Sequence, residues 1–286
     1  MYKAEDYMAT EVVTVYPNDT ISHAKNLMLE RGVKRLLVID KGGKLVGILT
    51  LRDIVRILAG RRAPWRWRSL ENSLVGTHMT KDLVTITPDT SLYDAAKTMI
   101  DRGISGLPVV SSNSLVGLLT KTDLVRYFAD KMRGIFRVED LMRRDVITVK
   151  ESDSVKKAAK LIMKHGVKRL VVTDSARRIL GIVTETDLAY IGAIWSRRRV
   201  VIETLAGREV KGIKARTVGE IMKTPVITVK PADDAAKAAR MMLEFGFSGF
   251  PVSSDGEKLE GLITKTDIIK GIVVAKEKAS GQRYNE

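Results

Sequence analysis

A short segment that recurs four times along the chain limits what this sequence can fold into. Each copy contains a glycine, two apolar residues, a threonine, two variable residues and an aspartate. The four copies are Gly47 to Asp53, Gly117 to Asp123, Gly181 to Asp187 and Gly261 to Asp267. A second glycine precedes each aspartate by 20 or 21 residues, at Gly32, Gly103, Gly166 and Gly246. Matching spacing in four places identifies an internal repeat.

Each repeat predicts the element order β-α-β-β-α. An alternating β-branched segment such as Val12 to Val15 suits the first strand. The helix that follows ends at the second glycine, which adopts a left-handed conformation at little cost. Residues with side-chain oxygens are placed to cap its first amides, namely Thr20, Ser91, Ser154 and Asp234. Apolar segments such as Leu36 to Ile39 and Leu45 to Leu49 predict two strands before a second helix near the aspartate.

These four units resemble CBS domains, and the resemblance covers almost the whole chain. In that family two repeats pair into a Bateman module, whose clefts often bind adenosine nucleotides. The resemblance therefore implies an α/β fold of four β-α-β-β-α repeats in two Bateman modules.

The repeats alternate in sequence, which indicates that an ancestral pair was duplicated. Units two and four contain Ser105-Gly106 and Ser248-Gly249, where units one and three contain Lys34-Arg35 and Lys168-Arg169. We place the first module at residues 1–133, with repeats near 8–59 and 79–130 and an insertion at 60–78. The second module then spans 134–286, with repeats near 142–191 and 222–275 and an insertion at 192–218.

The aspartate that closes each motif has two roles open to it. At a helix start its carboxylate can cap backbone amides and interact with the helix dipole. It can also accept hydrogen bonds from both ribose hydroxyls, while neighbouring threonines and the helix N-terminus donate to phosphate. The candidates for this second role are Thr120, Thr122, Asp123, Thr184, Thr186, Asp187, Thr264, Thr266 and Asp267. Asp53 belongs to the same set, although Arg52 replaces its second threonine.

The resemblance also implies which residues hold an adenine ring. They lie near the end of the first strand and just after the second glycine, at Thr87, Ile104 and Ser105 in unit two and at Phe247 and Ser248 in unit four. In the odd units Lys34 and Lys168 replace small residues, so they either contact phosphate or fill an empty cleft. The implied ligand is AMP, ADP or ATP, with no required cofactor, and a CBS protein that binds nothing is the alternative.

Two basic insertions depart from the repeat pattern. They contain all three tryptophans of the chain beside clustered arginines, namely Arg61, Arg62, Trp65, Arg66, Trp67, Arg68, Trp195, Arg197, Arg198 and Arg199. Arginine forks bind phosphate, and exposed indole rings stack on unpaired bases, so the insertions are RNA-binding candidates. Alternatively, the tryptophans anchor a linker and the arginines are simply solvated.

Composition narrows the classes of function. With 49 basic and 34 acidic residues the formal charge is +15, which favours a polyanionic partner. The absence of cysteine excludes disulfides, thiolate nucleophiles and cysteine metal sites, and an intracellular, cytoplasmic location is expected. No apolar run approaches the roughly 18 residues of a membrane span. The single glutamine among many charged residues is typical of heat-adapted, archaeal-type proteins.

The sequence favours a protein without catalytic activity. His23, His78 and His165 lack metal-ligand spacing, and neither a P-loop nor a nucleophile elbow is present, so no catalytic or metal residue is assigned. The leading hypothesis is a nucleotide-binding CBS protein that docks on structured RNA, most of all the ribosome, and restrains translation as a hibernation-type factor. The alternatives are a nucleotide-sensing partner of an enzyme or transporter and an enzyme of unrecognised kind. Self-association through the modules is also expected.

Overall fold

A computed structural model describes residues 2–54, 73–188, 202–203, 209–210 and 216–281 of the chain. It confirms the mixed α/β fold with four repeats of one supersecondary pattern. In the described part, no helix is both long and apolar enough to cross a membrane.

The first two units follow the predicted order, apart from a short 3-10 helix (Ala4–Asp6) before unit one and a short additional helix and a reduced first strand in unit two. Unit one contains β1 (Thr14–Val15), α1 (Ile21–Glu30), β2 (Arg35–Ile39) and β3 (Leu45–Thr50), and then residues 51–54 of a helix. Unit two contains α2 (Val75–His78), α3 (Leu92–Asp101), β4 (Gly106–Ser111), β5 (Ser114–Thr120) and α4 (Lys121–Lys131). The first strand of unit two is reduced to one parallel bridge between Ile86 and Val109.

The second pair of units repeats this arrangement. Unit three contains α5 (Val138–Leu141), β6 (Thr148–Val149), α6 (Val155–His165), β7 (Arg169–Thr173) and β8 (Ile179–Thr184), and then residues 185–188 of a helix. A short antiparallel pair, β9 (Ile202–Glu203) and β10 (Glu209–Val210), lies within the second insertion. Unit four contains α7 (Ala235–Glu244), β11 (Gly249–Val252), β12 (Gly261–Thr264) and α8 (Lys265–Ala279). Its first strand is again a single bridge, between Val229 and Val252.

Local sequence sets the ends of the first helix in every unit, as predicted. The Thr20 and Ser91 hydroxyls accept hydrogen bonds from amides in the first turns of α1 and α3, and Ser154 and Asp234 do the same for α6 and α7. The chain then leaves each helix through a glycine with φ between 62° and 65°. Only glycine adopts this conformation without a steric penalty, so the four stops are built into the sequence.

Each pair of units is joined by an exchange of chain segments. The segment that leads into one unit lies along the second hairpin strand of the other unit in the pair. There one residue forms a two-hydrogen-bond antiparallel bridge with the residue after the motif glycine. The four bridges are Ala9 with Leu118, Thr80 with Ile48, Arg143 with Leu262 and Lys223 with Ile182. By itself, each unit of a pair would therefore leave its second hairpin strand without a hydrogen-bonded neighbour on that edge.

A methionine packs against the motif glycine at every exchange. The methionines are Met8, Met79, Met142 and Met222, and they face Gly117, Gly47, Gly261 and Gly181 respectively. A Cβ atom on Gly117 would lie 2.7 Å from the sulfur of Met8, and one on Gly261 would lie 2.7 Å from that of Met142. The glycine is needed because a side chain there would occupy the space that the methionine fills.

The even units supply the core that joins the two modules. Helix α4 packs against α7 and α8, and α8 also packs against α3. These helices share one continuous buried cluster that includes Phe128, Met242 and Ile272, whereas units one and three have separate, smaller clusters. Close approach depends on small residues, since a Cβ on Gly271 of α8 would lie 2.8 Å from the Phe128 ring. The even and odd units thus differ in packing as well as in sequence, because the even units form the core between the modules.

Substitution of the four motif glycines by alanine tests the exchange. In Gly117→Ala and Gly261→Ala the new methyl group would meet a backbone carbonyl, at 2.9 Å and 3.0 Å, as well as methionine. In Gly47→Ala and Gly181→Ala the nearest atoms all belong to methionine side chains, which can shift. We expect guanidinium unfolding to show a loss of about 1–3 kcal/mol for the first two variants and less for the second two. Equal losses in all four would contradict the role given to the exchanged backbone.

Candidate ligand-binding site

All four motif aspartates adopt the same local structure at a helix start. One carboxylate oxygen accepts hydrogen bonds from both the amide and the hydroxyl of the threonine three residues earlier. At Asp123 these distances are 2.8 Å and 2.6 Å, and at Asp267 they are 2.9 Å and 2.6 Å. Asp53 and Asp187 make the same two contacts. The capping role is therefore present in every unit, and it uses only Oδ2.

The second oxygen, Oδ1, differs between units. Asp123 Oδ1 lies 3.0 Å from Arg126 of its own helix. Asp187 Oδ1 lies 2.9 Å from Lys223 Nζ, and Asp267 Oδ1 lies 3.2 Å from Arg143 Nε. Within the described ranges, with gaps at 55–72 and 189–215, no ion pair reaches Asp53. A ribose hydroxyl that bonded to these carboxylates would use Oδ1, because Oδ2 is already saturated.

Arginines of the odd units contact the segments that the family resemblance implies for adenine binding. Arg35 donates to the Ser105 carbonyl at 2.6 Å and to the Ser105 hydroxyl at 3.2 Å. Arg169 donates to the Ser248 hydroxyl in the same way. Burial lowers the pKa of Arg35, and it lowers the pKa of Arg169 to about 10. The glycine after each serine leaves room for the guanidinium, since a Cβ on Gly249 would lie 2.6 Å from Arg169.

Lysines make reciprocal contacts across the boundary between the modules. Lys121 Nζ donates to the Thr266 hydroxyl at 3.1 Å, and Lys265 Nζ donates to the Thr122 hydroxyl at 2.9 Å. Each of these threonines belongs to the other module and stands beside its motif aspartate. The starts of α4 and α8 therefore lie next to each other, and the motifs of the two even units are in direct contact.

The odd units meet at the corresponding position through an ion pair. Arg52 lies 2.5 Å from Glu185, one residue before Thr186 in the motif of unit three. Arg52, which stands where the other units have threonine, thus pairs with the residue that precedes this threonine in unit three.

Cations from all four units gather around this junction. Burial, together with the nearby charges of Lys168, Lys270 and Arg35, lowers the pKa of Lys121 to about 8. Burial, with Lys34 and Arg169 nearby, likewise lowers the pKa of Lys265 to about 8. The pKa of Lys168 is also lowered, first by burial and then by Arg52 and Arg35. We call Lys34, Arg35, Lys121, Lys168, Arg169 and Lys265 the central cation cluster. Asp123, Asp267 and Glu185 partly offset these shifts, and the remaining excess of positive charge favours a bound anion.

The remaining predicted residues occupy different places. Thr87 is exposed, and its hydroxyl is used within its own turn by Asp89 and Thr90. Ile104 packs against the common core, so little of it faces a cleft. Phe247 is 44% exposed and lies between Phe245 and Phe250, with ring centroids 5.8 Å away on both sides. Of these three side chains, Phe247 alone presents a broad aromatic surface.

The RNA-binding prediction falls on segments that the structure does not describe. Arg61, Arg62, Trp65, Arg66, Trp67, Arg68, Trp195, Arg197, Arg198 and Arg199 all lie outside the described residues. Within the described residues, no cluster of three or more histidines, aspartates or glutamates could hold a metal ion.

Two further sets of residues at these contacts have a sequence signal. Arg35 and Gly106 stand three residues after their respective second glycines, as do Arg169 and Gly249, so a large residue in one unit matches glycine in its pair. This alternation indicated duplication of a pair but not the contact that the glycine allows. The four exchanged methionines stand 44 or 45 residues before the motif aspartates, so alignment of the segments before each unit identifies them.

The fold and site define a class: an α/β protein built of four pairwise-exchanged repeats, each with a threonine-capped aspartate at a helix start. The CBS domain family model matches the chain at residues 4–60, 75–130, 138–193 and 218–274. These matches cover most of the sequence, so the chain belongs to the CBS domain family and its repeats form Bateman modules.

Similar proteins come from archaea. The uncharacterized protein MJ1225 of Methanocaldococcus jannaschii is 30% identical over 271 residues, which cover 91% of this chain and 95% of that protein. Its crystal structure, described as that of a suggested archaeal homolog of γ-AMPK, superposes with a TM-score of 0.77 over 95% of this chain and all of that one, at 28% identity. Protein MJ1404 of the same organism is 33% identical over 96% of this chain and 63% of its own length.

A third relative, from Thermofilum pendens, is named as an uncharacterized 33.4 kDa protein in the ribosomal RNA operon. It is 28% identical over 206 residues, which cover 66% of this chain and 65% of that protein.

The lowered lysine pKa values predict a pH dependence of stability. Between the folded pKa of about 8 and the ordinary value of 10.5, the unfolded chain binds more protons, so the free energy of unfolding rises with pH in that window. The double variant Lys121→Met/Lys265→Met should lose this rise, by about 1 kcal/mol per lysine after solvent screening. Guanidinium unfolding at pH 7 and pH 10 measures it.

A matched control for that measurement is Lys97→Met/Lys237→Met, which removes two lysines from exposed helix ion pairs of the same two modules. We expect it to keep the wild-type pH dependence. The same change in both double variants would show that the effect is one of net charge and not of the central cation cluster.

Proposed function

We propose that this protein is a non-catalytic sensor that binds an adenosine nucleotide at the junction of its CBS repeats. The observation that carries the proposal is the central cation cluster beside the two even-unit motifs. Six cationic side chains from both modules converge where threonine hydroxyls and two helix starts also meet. Such a cluster is costly to assemble without an anion, because like charges repel and lose hydration.

In this proposal the phosphate groups bind at the motif of unit two. The Thr122 hydroxyl, which now accepts from Lys265, is an available donor for a phosphate oxygen, and the dipole at the start of α4 favours an anion there. A phosphate in that place would let Lys265 exchange a neutral hydroxyl partner for an anionic one. Charge-assisted hydrogen bonds are about twice as strong as neutral ones, so the exchange favours the bound state.

The sugar and the base would occupy the outer part of the same cleft. Oδ1 of Asp123 is not used by the cap, and among the described residues it pairs with the half-exposed Arg126, which can move aside. Ser105 would contribute through its hydroxyl, which Arg35 already orients. In unit four Phe247 offers an aromatic face on which a base could stack. These assignments, and the module boundary at residue 133/134, are part of the proposal.

Calorimetric titration of the full chain with AMP, ADP and ATP tests nucleotide binding. Asp123→Ala and Thr122→Val should each weaken binding about tenfold, since each removes a hydrogen bond to a charged or strongly polar group. Asp101→Ala is the matched control, because that aspartate forms an exposed pair with Lys97 on α3. Circular dichroism verifies that the variants fold. Unchanged affinity in both site variants would remove the assigned contacts.

We further propose, as the output of this sensor, docking on structured RNA, with the ribosome as the specific target. The charge of +15 and the Arg/Trp composition of both insertions support an RNA partner. The name of the Thermofilum pendens relative places its gene in a ribosomal RNA operon, which also favours this partner. In this form the protein would restrain translation, as a hibernation-type factor in the cytoplasm.

A regulatory partner of an enzyme or transporter is the second candidate output. The MJ1225 structure, described as that of a suggested homolog of γ-AMPK, supports it, because that description names a subunit of a larger enzyme. A pulldown with one stoichiometric protein that survives nuclease treatment would favour this candidate over RNA.

Co-sedimentation with ribosomal subunits at several salt concentrations tests RNA docking. Each phosphate contact adds about 0.7–0.9 to the slope of log affinity against log salt, so Arg66→Ala/Arg68→Ala should lower that slope by about 1 to 2. Arg31→Ala/Arg102→Ala, at two exposed helix ends of the same module, is a control of equal charge. Absence from the ribosomal fractions even at low salt would contradict docking.

A further inference from the structure

The residue that follows each exchanged methionine occupies the same backbone position in all four units, on the strand that leads to a motif aspartate. These residues are Ala9, Thr80, Arg143 and Lys223. Each is held by a reciprocal pair of backbone hydrogen bonds to the residue after the motif glycine, with N to O distances between 2.9 Å and 3.2 Å. Because the backbone register is identical, the side chains at these positions can be compared directly.

In the second module this side chain reaches the motif aspartate. Arg143 extends to Oδ1 of Asp267, and Lys223 extends to Oδ1 of Asp187. Both cations come from the segment that leads into the other unit of the pair, so the exchange delivers them to these carboxylates. The Asp267 side chain is only 2% exposed, and its second oxygen is saturated by Thr264. In both units the oxygen that a sugar would use is therefore already paired.

In the first module the same position carries a small neutral residue. Ala9 pairs with Leu118 in the motif of Asp123 and Thr80 pairs with Ile48 in the motif of Asp53, and neither side chain can form an ion pair. The carboxylate of Asp53 has no cation partner in the described part of the chain, and that of Asp123 meets only Arg126, from its own helix. The two modules thus differ in charge at one structurally equivalent position.

We propose that the residue after each exchanged methionine determines which clefts accept a ribose diol. Ala9 and Thr80 bring no cation to the carboxylates of the first module, where among the described residues a nucleoside ligand would have to displace only Arg126 from Asp123. Arg143 and Lys223 occupy the carboxylates of the second module as internal substitutes for the sugar hydroxyls. This inference rests on the proposed nucleotide binding and adds an order to it: the clefts of the first module fill before those of the second.

Exchange of these residues between the modules tests the inference by calorimetry on the full chain, with AMP and 2′-deoxy-AMP as probes. Arg143→Ala/Lys223→Thr gives the second module the residues of the first. It should raise the number of AMP molecules bound, or tighten the weaker sites by about two- to fivefold, the range expected for half-exposed ion pairs. The preference for AMP over 2′-deoxy-AMP should extend to the added sites, because the freed carboxylates bind the diol.

Two further variants complete the test. The reverse exchange, Ala9→Arg/Thr80→Lys, should weaken AMP binding in the first module by a similar factor. Arg178→Ala/Lys157→Thr removes the same two residue types from ion pairs elsewhere in the second module, and it should bind as the wild type does. Arg143→Ala/Lys223→Thr and this control both lose two positive charges, and that loss alone would weaken anion binding. A gain in AMP binding that the control does not share therefore cannot come from net charge.

The outcomes separate this inference from the proposed function. If the wild type binds AMP and Arg143→Ala/Lys223→Thr leaves this binding unchanged or weakens it, the inference is overturned and nucleotide binding remains. Weaker binding would assign the two cations to phosphate. No binding of AMP by the wild type or by any variant would overturn both. Binding that appears only in Arg143→Ala/Lys223→Thr would support the role of the two cations but contradict the filling order, because the first module should bind AMP in the wild type.

Discussion

The exchange of chain segments between paired units is the interaction on which the rest of this structure depends. The second hairpin strand of each unit is completed by backbone from its partner, and a methionine seals the contact against a glycine that has no room for a side chain. A single repeat would leave that strand edge and the methionine pocket exposed, which soluble proteins avoid. The pair is therefore the smallest unit in which these strand edges are covered, because each covering segment comes from the other repeat.

The core between the two modules explains why several cations lie close together at the junction. The common core of α3, α4, α7 and α8 brings the starts of α4 and α8 together, and with them Lys121 and Lys265. Hydrophobic packing of Phe128 and its neighbours thus imposes an electrostatic cost at the edge of the same interface. A fold that accepts this cost in both modules has a use for a local excess of positive charge, and a bound phosphate is the simplest one.

The repeat, the element order and the helix ends were predictable because they depend on local chemistry. Gly166 must end α6 in a left-handed conformation, and Ser154 must cap it, whatever surrounds them. The contacts of Arg35 with Ser105 and of Lys121 with Thr266 were not predictable from one unit, since each joins residues 70 or 145 positions apart. The reduced first strands of the even units, at Ile86 and Val229, also depend on packing and not on β propensity.

Reciprocal contacts at the junction give the proposed sensor a means of communication between modules. Lys265 of the second module bonds to Thr122 in the motif of the first, and Lys121 bonds to Thr266 in return. A phosphate that replaced either hydroxyl would change a contact of the opposite module without any chain movement. The coupling is reciprocal by thermodynamic necessity, so occupancy of one even-unit cleft would alter the affinity of the other by the same factor. Both lysines are half-buried with lowered pKa values, and an anion beside one of them would restore its ordinary proton affinity. In the proposed function the junction would therefore respond to the charge of a nucleotide more than to its shape.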